Sequence, residues 1–486
     1  METMVSKGQA LTSDSNNLRL AQIAILKARE SRAQVQKELY HRYGVPIVSM
    51  TLISPGVKKN TRTRIAVMHA AWSVLSKQFA SAGFTILQSM CRITAAGPDC
   101  LLAVKGSTTE IKELCLQLEE RLPIGRILDI DVLSDTGKGL VSLHREAFGR
   151  SPRRCLVCDS EAFLCIVEKR HSAAQLEKAC FRLYRKTADI VAADIADMAV
   201  ASLIAEASLP DKPGLVSPGN QGAHCDMNFS HMVSSSNTLR SYFYKVAKRS
   251  FSFSCNLNSL LETLRPLGLE AEQQMYRATG GINTHKGAIF ALGFFAAAAG
   301  YLAGHTELLS EYESYVAALC DIIRKIANNF AAVDFQKHER SILTNGIKWY
   351  REYYVTGARG QAEQGYPMVF NTIFPVLAKG LSNATQETSM VLLKALLLSI
   401  AELDDTCLLS RGGPAGLNKA RHFASDLLVT MDKSENPEAA HRVILEFGAW
   451  MKERSLSPGG SADMLAAGIF LYKLNERYGG FSGWQR

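Results

Sequence analysis

Near Phe181 the chain changes its period. Before that point, stretches with helical spacing are interleaved with short stretches of strand character. Beyond it nearly every long segment repeats apolar residues every three to four positions, and strand candidates vanish. A chain of 486 residues also outgrows the ~250–300 residues at which a single core stops growing. The change of texture therefore reads as a domain boundary. Residues 1–180 are expected to form an α+β domain, a mixed sheet with helices, and residues 181–486 a larger all-α domain.

In the first part, LRLAQIAILKARESRAQVQKELYHRY has helical spacing, PIVSMTLIS is strand-like, and a second helix is expected near Thr63–Ala82. FTILQSMCRITAAGPDCLLAVKG reads as two strands around a Gly–Pro–Asp turn. TTEIKELCLQLEERL follows as an amphipathic helix and RILDIDVLS as a strand. In the second part, Gly287 to Gly304 is uncharged. It is slightly shorter than the ~20 residues of a membrane span and rich in Ala and Gly, so it reads as a buried core helix; no membrane partner is expected. The N-terminal METMVSKGQALTSDSNN carries no apolar leader, and the cysteines number eleven, an odd count. Both point to free thiols in a reducing cytoplasm.

Charge is uneven. Residues 1–180 hold 25 Lys and Arg against 17 Asp and Glu, whereas residues 181–486 hold 30 against 29. An acidic partner or a polyphosphate is thus drawn to the first domain. A basic RNA-binding or scaffold protein is the alternative from another class, but aromatic RNA-recognition patterns are not evident, and no nucleic-acid partner is expected.

Four breaks interrupt the helical part. DKPGLVSPGNQGAHCDMNF (residues 211–229) places Lys212 before a Pro–Gly turn, and puts His224 and Asp226 on one face if the segment is extended. GGINTHKGAIF sets Gly280, Gly281 and Asn283 before a helix with His285 and Lys286 in its first turn. LDDTCLLSRGGPAG joins Asp404 and Asp405 to Arg411, Gly412 and Gly413. SPGGSADMLAA sets Gly459 and Gly460 before Ser461, with Asp463 following. Each alone is an ordinary capped helix start. Together they suit phosphates held by backbone N–H groups at helix N-termini, with aspartates holding a bridging Mg²⁺.

EASLPDKPGLVSPGNQGAHCDMNF, GLEAEQQMYRATGGINTHKGAIFALG, GARGQAEQGYP, LDDTCLLSRGG and SPGGSADMLA together resemble the triphosphoribosyl-dephospho-CoA synthase family, in order over about residues 190–475. The resemblance implies that ATP and 3′-dephospho-CoA are joined through their riboses and adenine is released. It then implies phosphate contacts at Lys212, Lys286 and Arg411, and Mg²⁺ at Asp404, Asp405 and Asp226. His224 would shuttle a proton, and Glu272 is a further acid candidate. The family usually has Asp where this chain has Ser217 and Asn228, and Thr-His-Gly-Glu where it has Thr344-Asn345-Gly346-Ile347; no catalytic weight is placed there.

In the first domain, GRILDIDVLS puts Asp129 and Asp131 on one side of a strand. Such a pair is either an exposed strand face or a Mg²⁺ site for phosphate transfer. GRSPRRCLVCDSEAFLCIVEKRHS gathers Arg150, Arg153 and Arg154 with Cys155, Cys158, Cys165 and His171. Three cysteines and a histidine can hold zinc. Their short later spacings are atypical, so thiols beside a basic phosphate patch are the preferred reading. ILKARESRAQVQ, SMTLISPGVKKN, IGRILDIDVLS and the cysteine segment are similar to citrate lyase holo-acyl-carrier-protein synthases over about residues 24–175. That resemblance implies transfer of the phosphoribosyl-dephospho-CoA group to a serine of the citrate lyase acyl carrier protein. Asp129 and Asp131 would hold Mg²⁺, and the three arginines would steady the departing pyrophosphate. The product of one domain is the substrate of the other. The same chemistry on a malonate decarboxylase carrier is the alternative acceptor.

Overall fold

The computed structural model describes residues 2–56, 59–135, 137, 139–328, 330, 349, 352–382, 387–433 and 437–479. Thr344–Ile347, with the Asn345 departure, lies outside the described residues. Two compact units divide the chain, one running to Ile190 with a short stretch at Ala303–Glu307, the other covering Val191–Leu302 and Leu308–Gly479.

The first unit holds the sheet. In chain order come α1 (Glu2–Tyr43), β1 (Ile47–Leu52), α2 (Arg62–Ser81), β2 (Thr85–Thr94), β3 (Gly97–Lys105), α3 (Thr108–Arg121), β4 (Leu128–Asp135), β5 (Leu140–Ser142), α4 (Ala162–Val167) and α5 (Ala173–Tyr184). The order β2-β3-β1-β4-β5 is antiparallel at every pairing, which corrects the expected mixed sheet. Short links between β2 and β3 and between β4 and β5 permit only antiparallel neighbours, and β1 separates β3 from β4.

The expected Gly–Pro–Asp turn is displaced. Ala95–Ala96 makes the turn and Gly97–Pro98–Asp99 opens β3. Arg92 and Asp99 stand opposite one another, buried, with two hydrogen bonds of 2.8 and 2.9 Å that pin this register. Beside them Cys91 and Cys100 form a cross-strand disulfide, a correction to the expectation of free thiols throughout; the other nine cysteines are free.

Alternation along β4 sends Leu128, Ile130 and Val132 into a core shared with Val67, Met68 and Leu75 of α2, Ile111 and Cys115 of α3, and Tyr184 of α5. Leu39 and neighbouring residues of α1 cover Ile47, Leu101 and Ala103 on the opposite face. Asp129 and Asp131 lie between the core positions of β4 and stay partly exposed.

The second unit is helical. Its elements are α6 (Thr187–Ser208, from Val191 onward), α7 (Phe229–Thr238), α8 (Arg240–Phe251), α9 (Leu260–Ala278), α10 (Lys286–Gly304), α11 (Tyr315–Ile326), α12 (Gly357–Glu363), α13 (Phe374–Leu381), α14 (Thr388–Glu402), α15 (Thr406–Lys433), α16 (Pro437–Glu453) and α17 (Gly459–Tyr478). Among the described residues α10 is long and apolar enough to cross a membrane. Ala296–Ala299 are nevertheless fully buried, and Phe295 stacks on Phe370. It is a core helix.

All four sequence breaks end at helix N-termini, those of α7, α10, α15 and α17. Residues 211–228 are not extended, as expected, but folded into turns: Ser217 and Asn220 pair through both backbone N–H groups, and the Ala223 N–H donates to Gly214 O at 3.1 Å. Two prolines and three glycines in that stretch make a continuous ladder impossible.

Candidate functional sites

The second-unit pocket is about 290 Å³ and is lined by the N-termini of α10 and α17 and by the turns after α6. It brings together Lys212, His224, Asp226, Asn283, His285, Lys286, Arg411 and Gly459 from all four breaks. The α10 start is built for close approach. Asn283 Oδ1 accepts the Lys286 N–H at 3.3 Å, and a Cβ at Gly287 would stand 1.9 Å from the Asp463 carboxylate. Only glycine leaves room for that carboxyl against the helix end.

Several of these side chains already have partners. Lys212 is buried and meets Glu206 at 2.7 Å, through both its carboxylate and its carbonyl. Burial holds the ammonium below its usual pKa, against the pull of Glu206. In this arrangement the charge of Lys212 is matched by Glu206, while Lys212 lines the pocket. His224 hydrogen-bonds Ser457 Oγ through Nε2 at 2.9 Å, while Nδ1 faces the Arg411 guanidinium at 3.4 Å and Asp226 at 3.8 Å. Burial, then Arg411, pushes its pKa down, so the ring is neutral and able to accept a proton. His285 Nδ1 bonds Ser235 at 2.8 Å, whereas its buried Nε2 has no hydrogen-bond partner among the described residues. Burial pushes its pKa to about 3. A buried polar atom left unpaired beside a pocket is a group waiting for a ligand.

Sequence reasoning missed Glu206 as a site residue, and it noticed Asp463 only in passing. Asp463 stands partly exposed in the pocket wall, and desolvation, then the charges of Asp405 and Glu206, raise its pKa well above the usual range. That shift favours its protonated form. Glu206 stands in EASLPDKPG and Asp463 in SPGGSADMLA, inside the quoted motifs. The signal was there, but their surroundings were not.

Other expected residues fall elsewhere. Asp405 is fully buried, and it caps α15 rather than facing the pocket. One carboxylate oxygen accepts the N–H groups of Cys407 and Leu408 at 2.8 and 3.2 Å, the other the N–H and hydroxyl of Ser461 at 2.8 and 3.0 Å. No oxygen is left for a metal. Asp404 points away and pairs with Arg421 at 2.7 Å. In this structure Asp405 is committed to helix capping and Asp404 to an exposed ion pair. Gly460 packs on the Asp405 carboxylate, and Gly280 and Gly281 form a left-handed turn before α10. Gly413, at φ 60° and ψ −170°, breaks α15 just past Arg411 and Gly412. The expected turn is thus a kink, and Arg411 ahead of it donates to Ser455 O at 3.0 Å. Of these six residues only Arg411 lines the pocket.

Glu272 is also displaced from the expected acid position. It pairs with Lys286 at 2.9 Å and lines an adjoining pocket of about 310 Å³ with Arg265, Arg359, Phe290 and Phe330. Lys286 belongs to both pockets. Of the departures, Asn228 caps α7 by accepting the His231 N–H at 3.1 Å, a role either Asn or Asp fills. Ser217 is buried in its turn, outside the pocket.

In the first unit a cleft of about 930 Å³ is lined by Arg126, Arg145, Arg150, Arg153, Arg154 and Lys169. A second hollow of about 350 Å³ holds Asp129 and Asp131, with Arg153, Arg145 and Glu119 in the walls of both. Arg153 meets Glu119 at 2.6 Å and Asp129 at 3.0 Å. Arg150 meets Glu113 at 2.6 Å and Glu120 at 3.4 Å. Arg154 has no carboxylate partner among the described residues; it donates to Asp159 O at 3.1 Å. Asp131 accepts the Ser142 hydroxyl at 2.8 Å. Asp129 and Asp131 therefore share the smaller hollow with the guanidiniums of Arg145 and Arg153, which also line the larger cleft.

The chain matches two family models, one over each part. The profile described as CitG, ATP:dephospho-CoA triphosphoribosyl transferase, matches residues 192–481, more than half of the chain. The chain belongs to the CitG family. A second profile, CitX, Apo-citrate lyase phosphoribosyl-dephospho-CoA transferase, matches residues 21–187. The chain is 31% identical to "Protein CitXG" of Haemophilus influenzae over 92% of its own length and 95% of that protein. It is also 31% identical to "Protein CitXG" of Leuconostoc mesenteroides subsp. cremoris, over 94% and 97%. Identity is 33% to the "2-(5''-triphosphoribosyl)-3'-dephosphocoenzyme-A synthase" of Haemophilus ducreyi, over 65% of this chain and 99% of that one. The chain is a bifunctional transferase of the CitXG type.

Proposed function

We propose that the second unit joins ATP to 3′-dephospho-CoA with loss of adenine. On this reading the first unit then attaches the product to a serine of the apo citrate lyase acyl carrier protein with loss of pyrophosphate. The observation that carries the reading is the end-to-end match to CitXG proteins, with both family profiles in one chain. A non-catalytic RNA-binding or scaffold role has no such support. The division of labour is assigned to residues 1–180 and 181–486.

In the second unit the triphosphate is assigned to the paired N-termini of α10 and α17, with Lys286 and Arg411. Mg²⁺ would be held by Asp226, an exposed carboxylate on the pocket wall, and would neutralise phosphate charge. The adjoining aromatic pocket takes the dephospho-CoA, with Lys286 between the two. His224 accepts the proton of the attacking 2′-hydroxyl, and Asp226 steadies the imidazolium. The new C–O bond forms at the anomeric carbon as its bond to adenine breaks. The protonated Asp463 supplies the proton that lets adenine leave. His285 Nε2 hydrogen-bonds the substrate.

In the first unit Asp129 and Asp131 would hold Mg²⁺ on the phosphate under attack by the carrier serine. Arg150, Arg153 and Arg154 take up the charge of departing pyrophosphate. The test is mass spectrometry of apo carrier incubated with the protein, ATP, Mg²⁺ and dephospho-CoA, alongside assay of adenine. The expected result is carrier gaining the phosphoribosyl-dephospho-CoA mass and adenine release that depends on dephospho-CoA. No release would overturn the synthase half. Release without carrier modification, with the malonate decarboxylase carrier as a second acceptor, would overturn the assigned attachment.

A further inference from the structure

Residues 149–172 of the first unit carry the arginines of the cleft on a segment with little to hold it. A single bridge, Arg154 to Glu161, and the short α4 are its only regular features. Its apolar side chains do not form a core, since Phe163 is 70% and Ile166 73% exposed. A segment that buries so little apolar surface needs another source of order, and small elements of this kind are commonly tied by a disulfide or a metal.

The fold supplies the ligands for one. Cys155, Cys158, Cys165 and His171 bring one donor atom each to within 4.8 Å of one another, although 16 residues separate the first from the last. Cys158 Sγ lies 3.4 Å from Cys165 Sγ and 3.1 Å from His171 Nε2. A tetrahedral zinc with Zn–S near ~2.3 Å sets sulfur–sulfur separations of about 3.8 Å, inside the range this cluster spans. The Cys155-x-x-Cys158 turn is closed by the Cys155 N–H to Ser160 O at 2.6 Å. The Val157 N–H points at Cys155 Sγ from 3.4 Å, a donor that favours thiolate. Cys155 and Cys165 are buried and Cys158 is exposed, so the ion would sit at the edge of the segment with a path for entry.

We infer that Cys155, Cys158, Cys165 and His171 form a structural zinc site that holds the arginine-bearing segment in place. The four protein donors fill a tetrahedral shell, which leaves no position for substrate and separates this site from the Mg²⁺-dependent chemistry. Cys155 adjoins Arg154 and Arg153 in sequence, and the Arg126 guanidinium donates to Cys155 O at 2.8 Å. Fixing these sulfurs therefore fixes the cleft wall. The irregular spacing that argues against zinc in the sequence is absorbed by α4, which turns Cys165 back toward the Cys-x-x-Cys turn.

The metal is read directly on the full-length protein, independently of either activity. Protein purified without chelator is expected to hold about one zinc per chain by elemental analysis. After chelation it should take up Co²⁺ with the intense visible absorption of tetrahedral thiolate-bound cobalt. Cys158→Ser and His171→Asn should each weaken Zn²⁺ binding at least tenfold, while Cys255→Ser should not. Chelation should expose the 149–172 segment to limited proteolysis, and Zn²⁺ should restore protection. Wild type that binds neither Zn²⁺ nor Co²⁺, octahedral cobalt, or a Cys158–Cys165 disulfide found by mass spectrometry in the native protein would each overturn the site. If the variants do not fold, the wild-type cobalt spectrum and zinc content decide.

Discussion

The two sites handle charge in opposite ways. In the first unit, arginines line a cleft of about 930 Å³, and most of them lean on carboxylates at its rim. In the second unit the pocket is about 290 Å³, and Glu206, Lys212 and His285 are buried in its walls beside a partly exposed Asp463. Partly exposed ion pairs are weak and readily exchanged, so an incoming phosphate or acidic protein surface can displace them. Groups enclosed this way cannot be rearranged so cheaply, but the pKa values of Lys212, His285 and Asp463 are displaced, which suits proton transfer. The contrast separates a docking-and-transfer surface from a site that excludes water around a small substrate.

The sharpest way to break this comparison is Asp463→Asn. Because this carboxyl is proposed to protonate adenine, kcat for adenine release should fall by about 100-fold or more, in the range of general acid catalysis. The KM for ATP should move little, and transfer of preformed triphosphoribosyl-dephospho-CoA to the carrier should be unchanged. Undiminished kcat removes Asp463 from the acid role.

Arg153→Glu with Arg154→Glu probes the other side. Transfer with preformed intermediate should fall by roughly tenfold to 100-fold even at low salt, as for the loss of transition-state donors, while adenine release holds. An unaffected transfer rate sinks the pyrophosphate role. In the wild type, raising ionic strength should slow transfer several-fold, because attraction over a Debye length of ~8–10 Å is screened. Adenine release should respond less. A flat transfer profile would deny that the basic surplus of residues 1–180 steers an acidic carrier.

The smallest effects concern stability. Asp405→Asn should destabilise the second unit by about 1–3 kcal/mol, the cost of disturbing buried hydrogen bonds, with adenine release no more dependent on Mg²⁺ than in the wild type. Restoration by added Mg²⁺ would return Asp405 to a metal role. Asp463 predicts a pH trend of known sign. Its folded pKa is raised, so its contribution is full below the ordinary aspartate value of 3.8 and is lost as pH rises through the folded pKa. Thermal unfolding of Asp463→Asn, which keeps a neutral side chain, should flatten that loss at neutral and higher pH.

Much of this was legible in the sequence where a residue's environment follows from its own period. The alternation of LDIDVLS put Asp129 and Asp131 on one face, and the structure places both in one hollow. The four glycine-rich breaks each lend residues to one pocket, although the Gly412–Gly413 break is a kink inside α15. Pairings between distant segments were not legible. Nothing in LDDT distinguishes an aspartate that caps a helix from one that binds metal, since both uses draw on the same carboxylate lone pairs. Lys212 looked available only because Glu206, one turn and a proline away, could not be seen folding over it. The cysteine spacing hid a proximity for the opposite reason: a short helix brings together thiols that look ill-spaced along the chain.

Asp405 has a consequence for how the second unit admits its substrates. By capping α15 with one oxygen and gripping the α17 start at Ser461 with the other, it rivets two helices into a single plate. That plate cannot hinge without stranding a buried carboxylate. Across the pocket, the turns around His224 are tied to it through Ser457 and Arg411, by side chains alone. A change at Asp405 would therefore loosen two helix starts at once, and with them Arg411 and Gly459, which line the pocket.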